Sequence, residues 1–551
     1  MNTISPVVIE PRHGGEHHSV NVKYGIIIFA ISVIHILFFL LVKFIEINRW
    51  KSNGRFNKSL WKLNNTPTWM LITLWILIIF FIGGANITEF SEEYITIAKR
   101  YGRIAYCLLP LNIYLILRPT NCVYLKPGYY LENLSLHKWL SRLISICTLI
   151  HAIGYFYKWN KEGKILIKSF RFLNFLGIVV FVMFAVLIIV SIRILRRKYY
   201  SLFYIIHNIT AWSMVVLIIF HARPGVTIFG IICLILMCYQ LLYLRFYKSY
   251  PVNNLKIVDI PMSTLQIIKI PKPSNFPTWL PGSHVRLNYT TSNIKSWINS
   301  SHPFTIANIP EDGVNYLSLV IKKPGNFIID QYLTYLLTGP YISIDYPFYN
   351  SANLINIICG GSGISFGLPI LNHYKSLNSN IPIKLIWCVR NRNDCFIMNQ
   401  LDMTNVEVFI TSAGDSSSDE QSPSSSSYQP VPLFVVDDEQ DESHAKVEQT
   451  QGEEEVDGLL NQDENGIPLQ SMKKESFPKK EEGEDEEKSS KDVFKYGRPK
   501  FDEVFAIDDP TLNPNYNDSW VIACGPDQLI EDAKYWSQEK GYRFFSEKYE
   551  M

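Results

Sequence analysis

Four histidines set inside apolar segments, His137 and His151 and then His207 and His221, repeat one spacing of fourteen positions. On an α-helix, fourteen steps return a side chain to within about 40° of its starting direction and advance it about 21 Å. Each helix therefore shows two imidazoles on one face, at two depths. Two such helices lying side by side supply two stacked pairs of nitrogen ligands, which is what axial coordination of two haems at different depths requires. Ionisable groups inside a bilayer are costly and mark functional positions, so the repeat reads as a path for electrons across a membrane. His35, alone in the first apolar segment, follows no such pattern and reads as a satisfied or interfacial histidine.

Apolar stretches long enough to cross about 30 Å of hydrocarbon run near Tyr24–Ile45, Trp69–Ile87, Tyr101–Leu117, Lys138–Tyr157, Asn174–Leu195, Leu202–His221 and Val226–Phe246. These predict seven spans. The first is too long for a signal peptide, little positive charge precedes it and no small-residue cleavage site follows, so it is expected to remain as an anchor. Basic residues mark the cytosolic loops. Arg49, Lys51, Arg55, Lys58 and Lys62 occupy the first loop, Arg118 and Lys126 the third, Arg193, Arg196, Arg197 and Lys198 the fifth, and Arg245 and Lys248 follow the last span. The C-terminal half is then cytosolic and the N-terminal tail is not. One loop disagrees, because Lys158, Lys161, Lys164, Lys168 and Arg171 would face outward. The fourth and sixth spans run in the same direction, pairing His137 with His207 near the cytosol and His151 with His221 near the far face.

The formal net charge of +2 hides an uneven distribution. Residues 415–492 hold 23 Asp or Glu against 7 Lys, with a serine-rich start and runs such as Glu453-Glu454-Glu455. That composition buries too little apolar surface to offset chain ordering, so a disordered surface insert is expected. The nine cysteines show neither paired metal-site spacing nor a disulfide framework. Apart from Cys524 they read as small apolar packing.

From Val252 to about Phe348, short β-like runs (Leu265–Ile270, His284–Tyr289, Leu317–Ile321, Tyr341–Asp345) alternate with Pro and Gly turns, which suits a small antiparallel barrel. From Leu354 the texture changes. A buried strand through Cys359 leads into Gly360-Gly361-Ser362-Gly363 and a helical run to Lys375, with further strands at Ile383–Val389, Val406–Thr411 and Trp520–Cys524. Strand, glycine turn and helix in alternation predict an α/β nucleotide-binding domain. Gly360, Gly361 and Gly363 let backbone N–H groups approach a pyrophosphate. His302-Pro303-Phe304-Thr305 offers a fixed extended turn, a ring and a hydroxyl at a sheet edge, suited to an isoalloxazine and its ribityl chain. Cys524-Gly525-Pro526 stands at a strand C-terminus, the edge where open α/β sheets bind ligands.

Paired histidines on two helices, then His302-Pro303-Phe304-Thr305, Gly360-Gly361-Ser362-Gly363-Ile364, Gly497-Arg498-Pro499 and Cys524-Gly525-Pro526, in that order, resemble the fungal ferric reductase and NADPH oxidase superfamily. The resemblance implies that His302 to Thr305 contact FAD, that Gly360 to Ile364 and Cys524 to Pro526 contact NADPH, with Cys524 at the catalytic position, and that Arg498 meets the adenosine ribose or its 2′-phosphate. A guanidinium suits that phosphate through its planar donor fork. Departures from the family pattern stand at Gly325-Asn326-Phe327-Ile328, at Asp345-Tyr346-Pro347-Phe348-Tyr349, at Ser365-Phe366-Gly367 and at the terminal Met551. They bear on flavin affinity and turnover.

The fold expected is a multi-pass α-helical membrane bundle (24–248, with a haem core at 101–221) behind a non-cytosolic tail (1–23). A cytosolic FAD-binding barrel (250–350) and a ferredoxin-reductase-like α/β NADPH-binding domain (352–551) follow, the latter interrupted by the insert at 415–492. The expected activity is transfer of electrons from NADPH through FAD and two b-type haems to ferric or cupric complexes across the bilayer, serving iron and copper homeostasis. The flavin is needed because a nicotinamide releases two electrons together and a haem takes one. An oxidase making superoxide from oxygen and a non-enzymatic membrane scaffold are the competing readings. No nucleic-acid partner is expected; the membrane (plasma membrane or endoplasmic reticulum), the oligomeric state and any partner subunit stay open.

Overall fold

Long apolar runs must satisfy their backbone groups internally in hydrocarbon, and a helix does so within one segment. The computed structural model describes residues 15–49, 63, 66–118, 133–222, 227–323, 327–344, 348–349, 352–377, 379–412, 494–506 and 519–547. In the first half the main helices are α1 (Gly15–Arg49), α2 (Thr68–Gly84), α3 (Tyr94–Tyr114), α4 (Leu134–Lys161), α5 (Phe172–Val190), α6 (Tyr200–His221) and α7 (Thr227–Cys238), the last continuing to Phe246 through a π-helical turn. Five described helices are long and apolar enough to cross a membrane: Val22–Ile45, Leu134–Lys161, Phe172–Val190, Tyr200–His221 and Thr227–Phe246. The seven expected spans are thus not all confirmed. Helix α2 is apolar but only 17 residues long, and α3 carries Lys99, Arg100 and Arg103.

Arg100 is tolerated because it terminates a neighbouring helix. Its guanidinium donates to the carbonyls of Gly83 (3.0 Å) and Ala85 at the end of α2 and lies 4.1 Å over the Tyr24 ring. Those carbonyls have no partner within their own helix, and a cation there also complements the helix dipole. Around α3 the bundle core gathers Trp75, Ile104, Leu108, Leu111, Leu140 and Val215. His35 packs beside Phe39 and Trp75.

Strands β1 (Ser249–Val252), β2 (Lys256–Val258), β3 (Leu265–Pro271), β4 (His284–Tyr289), β5 (His302–Thr305), β6 (Tyr316–Lys322) and β7 (Tyr335–Tyr341) form two antiparallel sheets, ordered β1-β7-β4-β5 and β2-β3-β6. A bridge between Ile306 and Leu319 joins them over one core that includes Ile268, Val285, Leu287, Leu319 and Leu337. The strand expected at Tyr341–Asp345 lies earlier, at Tyr335–Tyr341, because Tyr335, Leu337 and Tyr341 are the residues that reach the core. His302–Thr305 forms an edge strand, where a turn at a sheet edge was expected.

The second lobe is a sheet ordered β11-β10-β9-β8-β12-β13 (Phe494–Tyr496, Val406–Ile410, Ile383–Val389, Leu354–Gly360, Ser519–Cys524, Arg543–Glu547), with β10, β9, β8, β12 and β13 paired in parallel. Helices α8 (Ile364–Ser376) and α9 (Asp527–Glu539) pack on it. Asp394 ties this lobe to the barrel: it accepts from Ser263 Oγ (2.8 Å), Thr264 N (2.7 Å) and Thr264 Oγ1 (2.8 Å). By contacts, the described residues from Gly15 to Ser412 and from Lys495 to Glu547 belong to one compact unit. Residues 1–14, Gly325-Asn326, Asp345-Tyr346-Pro347, the insert and Met551 lie outside the described residues. Of the unusual rings, Phe348 is buried edge-on to Trp520, and the Tyr349 hydroxyl donates to the Pro281 carbonyl of the barrel (2.6 Å).

Candidate functional site

Helices α4 and α6 bring the predicted histidines together in the bundle. The rings of His151 and His221 have centroids 6.3 Å apart. Two metal–nitrogen bonds of about 2.0–2.1 Å, with about 1.1 Å from each nitrogen to its ring centre, span the same distance. At the other level, His137 and His207 stand fourteen positions earlier on the same two helices. Three rings are held from behind: Nδ1 of His137, His151 and His221 donates to the carbonyls of Asn112 (2.9 Å), Ala98 (2.8 Å) and Leu173 (2.8 Å). A carbonyl only accepts, so Nδ1 carries the proton and Nε2 keeps the lone pair that a metal needs. His207 Nδ1 is buried without a hydrogen-bond partner among the described residues.

Two glycines that sequence reasoning passed over make room for the far pair. A Cβ on Gly102 of α3 would lie 2.5 Å from His151 Nδ1, and one on Gly177 of α5 would lie 2.4 Å from His221 Cε1. The available signal was a lone glycine within a helical run, which often has a packing reason. Among the described residues no three His, Cys, Asp or Glu side chains converge, so each level offers a pair of ligands and not a protein-only metal cage.

On the barrel, edge strand β5 pairs with β4, setting His302 opposite Leu287 and Thr305 opposite His284. The His302 ring stacks on Phe327 at 4.3 Å, and burial together with the neighbouring Arg286 cation holds its pKa down to about 4, so it is neutral near pH 7. Pro303 is half-buried beside it. Phe304 turns into the barrel core, which narrows its expected role from gripping a ligand to supporting the strand. Thr305 Oγ1 is buried with no hydrogen-bond partner among the described residues. An unpaired buried hydroxyl costs about 1–3 kcal/mol, so this one suits a ligand acceptor. Ser301, just before the strand, is gripped from two sides: Arg286 Nε donates to its Oγ at 2.8 Å and Arg118, four residues past α3, at 3.2 Å.

In the α/β lobe the remaining motifs collect at the C-terminal edge of the parallel strands. Gly360 and Gly363 back onto the other turn so closely that a Cβ would lie 2.7 Å from Pro526 Cδ or 2.3 Å from the Cys524 carbonyl oxygen. Gly361 adopts φ +55°, a conformation glycine takes without strain, and its carbonyl accepts from Trp387 Nε1 at 2.9 Å. Ile364, buried, then opens α8. Gly497 donates to the Ile410 carbonyl at the end of β10, which sets the exposed Arg498 on the same edge, three strands or about 14 Å from β8. Cys524 is fully buried, and burial pushes its thiol well above the usual range. It stays protonated and can shape a nicotinamide site without acting as a thiolate.

A buried polar chain runs across the seam between barrel and α/β lobe. His284 Nδ1 meets Ser343 Oγ at 2.9 Å, and that hydroxyl lies 3.3 Å from Glu547 Oε1, beside Cys524 in the sheet. Burial pushes the Glu547 carboxyl up to about 8, while burial, aided by Arg286 and Arg118, holds His284 down to about 3. Nothing in the local sequence pattern distinguished these three residues.

The chain is similar to known proteins over nearly its whole length. Residues 101–218 match the family described as "Ferric reductase like transmembrane component", 249–341 an "FAD-binding domain" and 352–538 the "Ferric reductase NAD binding domain". A Candida dubliniensis protein named "Probable metalloreductase AIM14" is 60% identical over 560 residues, spanning 99% of each chain. Its namesake from Scheffersomyces stipitis is 42% identical over 550 residues, spanning 98% of each. A solved ferredoxin NADP+ reductase from Neisseria gonorrhoeae aligns at TM-score 0.33 and 10% identity, covering 55% of this chain and 98% of that one.

Proposed function

Since the chain belongs to the ferric-reductase-like family of transmembrane flavoproteins, and is therefore an NAD(P)H-dependent membrane oxidoreductase with FAD- and NAD-binding domains, we propose that it is a metalloreductase. In this reading NADPH is the donor, two b-type haems sit in the bundle, and ferric or cupric ions are reduced on the far face in the service of iron and copper homeostasis. The membrane part is 24–248, the flavin barrel 250–350 and the nucleotide lobe 352–551, with both soluble lobes cytosolic.

The observation that carries the reading is the far histidine pair: rings 6.3 Å apart, each with Nδ1 tied to a carbonyl and Nε2 left as the ligand nitrogen. Two ligands per level suit a metal whose other positions come from a macrocycle. His137 and His207 would hold the haem nearer the barrel, His151 and His221 the farther one. When bound, the groups supply hydride donation at the nicotinamide, division into single electrons at the flavin and one-electron relay at the haems. The chain's own part is to orient them. Ser301, held by Arg118 and Arg286, ties the flavin strand to the membrane helices, and the stacked Gly360 and Gly525 turns keep side chains out of the dinucleotide path. A haem held by two histidines would have no position left for a metal-bound acceptor and would supply outer-sphere, one-electron transfer.

The test is a reduced-minus-oxidised spectrum of the purified full chain, followed by NADPH-driven ferric-chelate reduction with and without superoxide dismutase. A bis-histidine haem spectrum and dismutase-insensitive reduction are expected. Absence of haem would favour a scaffold, and full suppression by dismutase would favour an oxidase.

A further inference from the structure

The connection between α4 and α5 carries Lys158, Lys161, Lys164, Lys168 and Arg171. Positive loops ordinarily stay on the cytosolic side, yet this one lies at the end of the bundle remote from the soluble lobes: α6 ends at His221, and α7 must return through the bundle before the chain enters β1 at Ser249. The same connection is tied to the far histidine pair. Leu173, whose carbonyl holds His221, follows Arg171 by two residues, and Lys99 follows Ala98, whose carbonyl holds His151. Arg103 donates to the Ala222 carbonyl at 3.3 Å, just past His221.

Four carboxylates, Glu89, Glu92, Glu93 and Glu162, offset this group only in part. Glu162 is shared at 3.8 Å between Lys158 and Lys168, a half-exposed pairing that water screens. Glu89, Glu92 and Glu93 stand on the neighbouring connection before α3, where Glu93 accepts from Thr88. Lys161, Lys164 and Arg171 are exposed. Leu166, Ile167 and Phe170, apolar and exposed, hold the connection at the membrane surface, so the cations stand at the water boundary.

We propose that this cluster collects anionic metal chelates, ferric ions wrapped in carboxylate or other oxyanion ligands, beside the His151–His221 level. The inference deepens the metalloreductase reading and rests on electrons leaving at that level. Focused charge raises local anion concentration and association rates by about 10- to 1,000-fold at low salt. The redox step needs no bond to the chelate: one NADPH and two ferric chelates give NADP+, one proton and two ferrous chelates, each iron taking one electron.

The experiment uses the full chain in nanodiscs of phosphatidylcholine alone, comparing wild type with Lys161→Gln/Lys164→Gln/Arg171→Gln. NADPH-driven reduction of ferric EDTA and hexacyanoferrate(III), both anionic, is measured against hexaammineruthenium(III), a cation, from low salt to about 0.3 M, where the Debye length has shortened to roughly 6 Å. Haem spectra confirm that each variant is assembled; should the triple variant lack haem, Lys161→Gln/Lys164→Gln replaces it. Expected is a roughly tenfold fall in kcat/KM for the anions at low salt, none for the cation, and loss of the wild type's salt dependence. An unchanged anion-to-cation ratio overturns the proposal, as does a loss that arises only when anionic lipid is added, which would make the cluster a headgroup site. A wild type whose haems are reduced by NADPH but which reduces no metal complex overturns the metalloreductase reading itself.

Discussion

At the scale of single residues, the His151–His221 pair depends on what is missing from two helices. A methyl group at Gly102 or Gly177 would stand 2.5 or 2.4 Å from an imidazole atom, closer than packing allows, and neither helix backbone can withdraw cheaply. Gly102→Ala or Gly177→Ala is expected to remove about half of the haem, read as the haem-to-protein ratio, while the His137–His207 level persists; full retention in both variants would sink the assignment. Arg498 is a different case because it is exposed and acts through charge. Arg498→Ala should weaken NADPH roughly ten- to a hundredfold and NADH far less, with the difference shrinking as salt rises. Equal losses would remove it from the 2′-phosphate. Glu547 links a residue to pH. Its folded pKa of about 8 lies above its usual 4.5, so the folded chain keeps a proton that the unfolded chain releases. Stability is complete below about 4.5 and declines as pH rises toward 8. His284 and His302, held down to about 3 and 4 from 6.5, cost stability only as pH falls below 6.5. Between pH 6.5 and 8 the thermal midpoint of wild type should therefore drop, and that of Glu547→Gln should drop less. Parallel curves would show that the carboxyl titrates normally.

At the scale of elements, β10 and β11 explain how a chain can carry a long acidic segment inside its last domain. The described chain leaves beyond β10 at Ser412 and returns at β11, its neighbour in the sheet, where Lys495 pairs with Glu407 at 2.8 Å. The ends of the insert are thus brought together by the sheet itself, and added loop length costs little closure entropy. Deleting 416–490 is expected to leave FAD content, NADPH oxidation and haem reduction largely intact. Loss of nucleotide binding in the deletion would make the insert part of the site.

At the scale of the whole molecule, the proposed function requires electrons to pass from the barrel into the bundle, and a few polar contacts set that junction. Arg118, four residues past α3, reaches Ser301, while Arg245, at the end of the last span, donates to Ser296 and lies 4.4 Å over the Trp297 ring. Arg118→Ala/Arg245→Ala should leave NADPH-driven flavin reduction near wild type and slow haem reduction severalfold in stopped flow; equal slowing of both would point to a folding defect. The sequence by itself determined what depends on local order. Periodicity placed the histidines on two helices, glycine and proline punctuated the α/β strands, and the motifs, taken in order, pointed to the family. Tertiary structure decided what depends on residues distant in the chain. The partnership of Gly102 with His151, the burial of Phe304, the Arg100 cap on α2 and the His284–Ser343–Glu547 chain each join separate elements across a packed interface. Side-chain periodicity reports which face a residue occupies, but not what stands opposite that face, and these features exist only once the opposing element has arrived.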